Sequence, residues 1–218
     1  MGRIIAIITL FWLASHAAAG QPPPARTFDT EPAGTLPEGF ELARMRQDTP
    51  GQWLLRRMGG NGYLVHEADA AANGFALALS PDPPLRDVEA SVRLRLAGGA
   101  RAGGLVWRYA SPDDYHAAVL DLARAEIVLF RVSAGNRIFL EREDGLELDS
   151  SAWHTLKVVH EEWRITVSLG GIRVFQERDR RYDRETPPGR SGVIATGASE
   201  VWFDDLRIGA EIDRPRRP

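Results

Sequence analysis

The chain of 218 residues contains no cysteine. That excludes a disulfide framework, a catalytic thiol and a thiolate zinc site. Lysine is almost missing as well: Lys157 stands alone, and every other basic residue is arginine. Codon bias accounts for this, and so does a surface built of planar donors for carboxylates or sugar hydroxyls. The net charge of −3 lacks the basic surplus of a nucleic-acid binder. No G-x-S-x-G elbow is present to present a serine nucleophile. His66, His116, His154 and His160 show no short metal-ligand spacing to one another.

Long apolar runs are scarce too. The run Ile4 to Ala14 (IIAIITLFWLA) is shorter than the roughly 20 residues that span a bilayer as a helix. It follows Arg3 and precedes Ala17-Ala18-Ala19, an A-x-A cleavage site. Together these read as a secretory signal peptide over residues 1–19. The protein is therefore expected in the periplasm or outside the cell, with no membrane partner after cleavage. No cysteine follows the cleavage site, so no lipid anchor is expected.

What is present is alternation. Val88, Ala90, Val92, Leu94 and Leu96 alternate with Glu89, Ser91, Arg93 and Arg95. Side chains of a strand point to opposite faces at period two, so one face is dry and one wet. Similar segments run from Gln52 to Ile208, separated by Gly-rich and Pro-rich turns such as Gly59-Gly60-Asn61-Gly62 and Ser111-Pro112-Asp113-Asp114. The alanines between Ser111 and Arg124 favour a helix by propensity, but the flanking strands and tight turns favour sheet. About a dozen short strands without a repeat predict an all-β, two-sheet antiparallel jelly-roll sandwich. It spans 28–210 as one domain, after a Pro-rich spacer over 20–27 and before a disordered tail over 211–218.

Several local patterns occur in order: Gly103 to Tyr109 (GGLVWRY), Asp114-Tyr115-His116, Trp153 to Val158 (WHTLKV), and Val201 to Ile208 (VWFDDLRI). With the opening Phe28-Asp29 arm, Leu36-Pro37 and Trp53, this series resembles the concanavalin A-like lectin/glucanase superfamily. More narrowly it is similar to bacterial exported domains labelled 3-keto-disaccharide hydrolase, or family 16 glycoside hydrolase-like. The resemblance implies a carbohydrate ligand on the outer face of one sheet. It also implies a structural calcium between the arm and the last strand, with Asp29 and either Asp204 or Asp205, preferably Asp205, as oxygen ligands. A hydrogen-bonded Asp holding a neighbouring loop is the alternative for these positions. Family 16 hydrolases carry E-x-D-x-x-E on one strand, and this chain has no such motif. Its cluster Glu141, Glu143, Asp144, Glu147, Asp149 reads as a solvated acidic loop.

The binding candidates are Arg108, Tyr115, His116, Asp121 and Arg131. An unpaired buried guanidinium is too costly, so Arg108 is expected to face the ligand groove or to pair with an acid, Asp121 or Asp114. Aromatic rings stack on sugar C–H faces while planar polar groups take the hydroxyls. Tyr109, Tyr115, His116, Trp163 and Tyr182 are possible suppliers of rings, whereas Trp53, Trp107, Trp153 and Trp202 read as core or rim packing. Three functions stay open: a noncatalytic carbohydrate-binding domain, an enzyme on a modified glycoside using Arg108, His116 and Asp121, and a periplasmic structural or interaction domain.

Overall fold

The computed structural model describes residues 23–44, 51–69, 74–99, 101–180 and 186–210. The signal segment, Tyr182 and the tail over 211–218 lie outside the described residues. The strands are β1 (Glu41–Arg44), β2 (Gln52–Met58), β3 (Asn61–Glu67), β4 (Phe75–Leu79), β5 (Val88–Gly99), β6 (Ala102–Ser111) and β7 (Asp114–Asp121). They continue as β8 (Glu126–Ser133), β9 (Asn136–Glu143), β10 (His154–Glu161), β11 (Arg164–Leu169), β12 (Ile172–Arg178), β13 (Arg190–Thr196) and β14 (Ser199–Gly209). No helix occurs among the described residues. The alanine-bearing stretch after Ser111 is β7, because both its neighbours in the ladder are strands. The short strand β1 was not anticipated.

Two antiparallel sheets of seven strands each form a sandwich. The first runs β1-β4-β13-β6-β7-β8-β9, and the second β12-β11-β10-β5-β14-β3-β2. The alternation in β5 puts Val88, Ala90, Val92, Leu94 and Leu96 inward, where each is buried. They meet Leu156, Val158 and Phe203 of the same sheet and Leu105, Trp107, Leu120 and Leu129 of the other. Complete burial of one such large side chain contributes about 1.5–3 kcal/mol. Close packing of the first sheet depends on Gly104: a Cβ there would lie 1.9 Å from the Ala118 carbonyl oxygen.

The first sheet departs from the one-dry, one-wet pattern. Phe75, Leu77, Val106, Tyr115, Ala117, Val119, Phe130, Val132 and Ile194 form a second apolar cluster on its outer face. Strand β4 is accordingly buried at every position.

One irregularity decides the site. The β6–β7 register breaks between Trp107 and Ser111, and Arg108 has φ +49°. Leu105 and Trp107 point into the inter-sheet core, yet Tyr109 joins the outer cluster. A β-bulge at Arg108 resets the alternation. It swings the guanidinium between the sheets.

Candidate functional site

The five binding candidates separate into two groups on opposite sides of the first sheet. Arg108, His116 and Arg131 lie between the sheets. Tyr115 and Asp121 belong to the outer face.

The inner group gathers around Asp179, the residue after β12. His116 Nε2 is 3.0 Å from Asp179 Oδ2, and Arg131 Nη1 donates to Oδ1 at 3.2 Å. Arg108 Nη1 and His160 Nε2 stand 3.8 and 3.9 Å from Oδ2. Arg108 also donates to the carbonyls of Arg86 (2.6 Å) and Glu162 (3.1 Å), and contacts Asp87 Oδ1 at 3.4 Å. The expectation that Arg108 faces the ligand groove is therefore corrected: its side chain is 2% exposed. Its acids are Asp87 and Asp179, not Asp121 or Asp114, because the bulge turns it away from the face Asp121 occupies.

Burial drives both inner imidazoles toward the neutral form. The His116 pKa is lowered by burial, against the opposing pull of Asp179. That of His160 is lowered by burial first and by the Arg108 charge second. The Trp107 indole N–H donates to His160 Nδ1 at 2.8 Å. Arg108 Nη1, which can only donate, lies 2.8 Å from Nε2, so two donors compete for the one lone pair of a neutral imidazole. The His116 ring is stacked on Trp107 (5.8 Å, 24°) and set edgewise to His160 (5.1 Å). Parity with Leu156 and Val158 would have placed His160 inward. Nothing in the charged stretch around Asp179 signals a buried carboxylate.

The outer group includes a cleft of about 190 Å³ where β7, β8 and β9 meet. Phe75, Val119 and Phe130 contribute its apolar lining. Asp121 and Glu126 face each other as ladder partners at its charged end. Arg124 Nη1 lies 3.6 Å from Asp121 and 3.7 Å from Glu126, and Arg142 Nη1 lies 3.4 Å from Glu126. The Arg137 guanidinium covers Phe139 at 4.9 Å and reaches Phe75 and Phe130 at 5.7 Å each. The Phe139 ring is 62% exposed. Tyr115 packs on Tyr109 and Phe130 farther along the same face, itself fully buried. Glu126, Arg137 and Phe139 escaped notice in the sequence, although the hairpin register alone sets Glu126 opposite Asp121.

Trp53 and Trp107 are core residues as expected. Trp153 and Trp202 are half-buried and pack with Tyr63 against the outer side of the second sheet, under the guanidinium groups of Arg93 and Arg95. The acidic residues of 141–149 are exposed. The alternative reading of Trp163 as a sugar platform meets two guanidinium groups, Arg178 at 4.2 Å and Arg164 at 5.2 Å from its ring.

The residues expected to hold calcium do not fit the ion. Asp29 Oδ1 accepts the Gly62 N–H at 2.7 Å, which holds its carboxyl below the usual carboxylate range. Asp204 accepts Asn61 Nδ2 at 3.1 Å and the Asp205 N–H at 2.7 Å, while burial raises its pKa. Asp205 Oδ2 takes Arg93 Nη1 at 3.0 Å. A cation needs several oxygens turned to one point, whereas Asp205 already holds a guanidinium. Among the described residues no group of three or more His, Asp or Glu side chains is arranged for a metal.

No protein-family model matches the sequence, and no curated protein matches it either. Solved structures do match. The carbohydrate-binding module CBM66 from Bacillus subtilis superposes with a TM-score of 0.62 at 16% identity, covering 79% of this chain and 96% of the module. A prokaryotic β-1,3-1,4-glucanase (lichenase) derived from a mouse hindgut metagenome gives 0.57 at 13% identity, covering 86% and 98%. A Bacteroides ovatus mixed-linkage-glucan GH16 protein, solved with a G4G4G3G product, gives 0.56 at 8% identity, covering 80% and 96%. At these identities the likeness is one of fold. The chain is a concanavalin A-like jelly-roll sandwich.

Proposed function

We propose that this chain is an exported carbohydrate-binding domain that holds a sugar in the outer cleft of the first sheet. One observation carries the reading: Phe139, 62% exposed and with the Arg137 guanidinium over its ring, stands in a cleft of about 190 Å³ lined by four further charged planar groups. Sugar recognition needs this pairing of an apolar platform for C–H faces with planar donors and acceptors for hydroxyls. Asp121 and Glu126 supply acceptors, and Arg124 and Arg142 supply donors. The fold shared with a carbohydrate-binding module and with glucanases supports a sugar as ligand. The N-terminal segment supports export.

A second reading rests on the same two carboxylates. Asp121 and Glu126 are directly opposed on antiparallel strands, with both carboxylates within 3.7 Å of Arg124 Nη1, and a pair of carboxylates is what glycoside cleavage uses. Arginines beside both carboxylates favour the binding role. Arg108, His116 and Asp121 do not form one catalytic set, because the sheet itself separates Asp121 from the other two.

A thermal-shift screen with mono- and oligosaccharides, followed by calorimetry on the hits, tests the proposal. Saturable binding that Phe139→Ala weakens at least about tenfold supports it, as loss of a stacked ring contact at a sugar site predicts. Binding unaffected by Phe139→Ala, or no binding at all, overturns it. Release of reducing sugar that Glu126→Gln abolishes would establish the second reading instead.

A further inference from the structure

The inner polar group contains two buried atoms without hydrogen-bond partners, His116 Nδ1 and Arg131 Nε. His116 and Arg131 are ladder partners on β7 and β8, directly opposite each other and facing the same side. Both residues are more than nine-tenths buried. Their hydrogen-bonding senses are complementary. The Asp179 carboxylate can only accept, so His116 Nε2 carries the hydrogen and Nδ1 presents a lone pair. Arg131 Nε can only donate.

An orphaned acceptor beside an orphaned donor fits one kind of atom, an oxygen that both gives and takes a hydrogen. An anion would satisfy Arg131 and be repelled by the Nδ1 lone pair. A cation would do the reverse. Opposed residues place their Cβ atoms about 5 Å apart, and these two side chains also reach the same carboxylate, that of Asp179. A buried unsatisfied polar atom costs about 1–3 kcal/mol, and a buried oxygen with two or more partners removes that cost.

We propose that the inter-sheet group binds a single hydroxyl oxygen between His116 Nδ1 and Arg131 Nε. The site lies across the first sheet from the outer cleft, although Phe139 of β9 lines both that cleft and the one that reaches Arg131. It is not sealed: a cleft of about 330 Å³ between edge strands β9 and β12 reaches Arg131 and Asp179. Leu140 of β9 and Glu177 of β12 stand at its two sides. The hydroxyl belongs either to water or to a small polyol or sugar entering by that cleft. The Trp107 ring below His116 and the Asp179 carboxylate at its far nitrogen hold the imidazole so that Nδ1 keeps its direction.

The test uses the intact protein labelled with ¹⁵N. Long-range proton–nitrogen correlations should show His116 neutral, with its hydrogen on Nε2. The Arg131 Hε should be protected from exchange and show a cross-relaxation peak to a bound water. Addition of glycerol or glucose distinguishes the sources. Replacement of the water peak by carbon-bound protons of the additive identifies a polyol site, and an unchanged peak identifies a resident water. His116→Phe should speed Arg131 Hε exchange about tenfold, the factor lost with one ordinary hydrogen bond. If that variant does not fold, the wild-type spectra decide alone. A hydrogen on His116 Nδ1, or an Arg131 Hε with no contact to water or additive, overturns the proposal.

Discussion

Asp179 Oδ2 accepts the His116 Nε2 hydrogen at 3.0 Å, although the two residues belong to opposite layers of the sandwich. Asp179 follows β12 at the edge of the second sheet, and His116 lies in β7 within the first. The same carboxylate takes Arg131 and stands near Arg108 and His160. One buried negative charge thus ties the end of an edge strand to the facing sheet.

Asp179→Asn should therefore destabilise the fold strongly. It keeps the shape but leaves Arg108 and Arg131 without their buried countercharge. Breaking a buried pair in this way costs about 3–5 kcal/mol. Asp87→Asn serves as the comparison, because the Asp87 side chain is 38% exposed and it pairs, among the described residues, with Arg108 alone, whereas the Asp179 side chain is 4% exposed and also takes Arg131. Such an exposed partner contributes about 0–1 kcal/mol. Urea denaturation reads both; equal losses in the two variants would contradict the central role of Asp179.

Stability should fall as the pH drops below about 6.5, the ordinary histidine value. His66, His116 and His160 all have lowered pKa values, each chiefly through burial. Between the lowered folded values and the unfolded value, the unfolded chain binds protons that the folded chain refuses. Unfolding is thus favoured on acidification, by up to about 1.4 kcal/mol per pH unit for each histidine. The raised pKa of Asp204 works the other way, since its folded form takes up a proton earlier on acidification. It is one group against three. Urea midpoints measured from pH 7.5 to 5 should decline; a flat profile would mean that these imidazoles take up protons as readily in the folded chain as in the unfolded one.

The sandwich was legible because period-two alternation depends only on local side-chain direction. The alternation from Val88 to Leu96 lies within β5 and is buried at every second position, as that period requires. The same period sets Tyr115 and Asp121 on one face of β7 and His116 on the other. They therefore do not form one site, since the sheet stands between them. Arg108 was misplaced for a different reason. A bulge shifts parity by one residue, and no glycine or asparagine marks this one; the positive φ falls on the arginine itself. Asp179 was invisible because its partners come from β6, β7, β8 and β10, and only the closed sandwich brings them together. The short β1 escaped because ELAR shows little alternation and pairs only at the edge of its sheet.

Gly104→Ala should be among the more damaging conservative changes in the chain. Its φ lies outside the positive region, so backbone conformation is no obstacle. The obstacle is the Ala118 carbonyl oxygen, 1.9 Å from where the Cβ would stand. A backbone atom in a central ladder cannot yield as a flexible side chain can, so β6 and β7 must part. Overpacking in a tight core costs about 1–3 kcal/mol and occasionally more. Gly145→Ala is a control in open space, although its φ of +70° adds a strain of its own. Thermal melts should rank Gly104→Ala as the worse of the two.

In the outer cleft, removal of charge should affect binding without affecting the fold. Arg142 is 61% exposed, so its pairing with Glu126 contributes little to stability. Arg142→Ala should leave the melting temperature within about 2 °C, as a change under about 0.5 kcal/mol implies for a domain of this size. It should weaken a sugar ligand about tenfold if its guanidinium donates to hydroxyls, the effect of one charge-assisted hydrogen bond. Titration calorimetry on the best ligand from the saccharide screen measures this. Unchanged affinity would move the ligand away from the β8–β9 side of the cleft.

Chelation should leave the melting temperature unchanged. The argument lies in the partners of the three aspartates nearest the opening arm and the last strand. Asp29 is held by the Gly62 amide, Asp204 by Asn61, and Asp205 by Arg93. Each already has a hydrogen donor, so a divalent cation would have to displace protein donors, one of them positively charged. If calcium bound there in spite of this, it would stabilise the native state in proportion to its occupancy, and removal would lower the melting temperature. Arg93→Met sharpens the test. It removes the competing charge from Asp205, so a latent cation site should then respond to added calcium. A calcium-dependent rise in melting temperature in the wild type would show that these aspartates regroup around the ion, against the hydrogen bonds they make here.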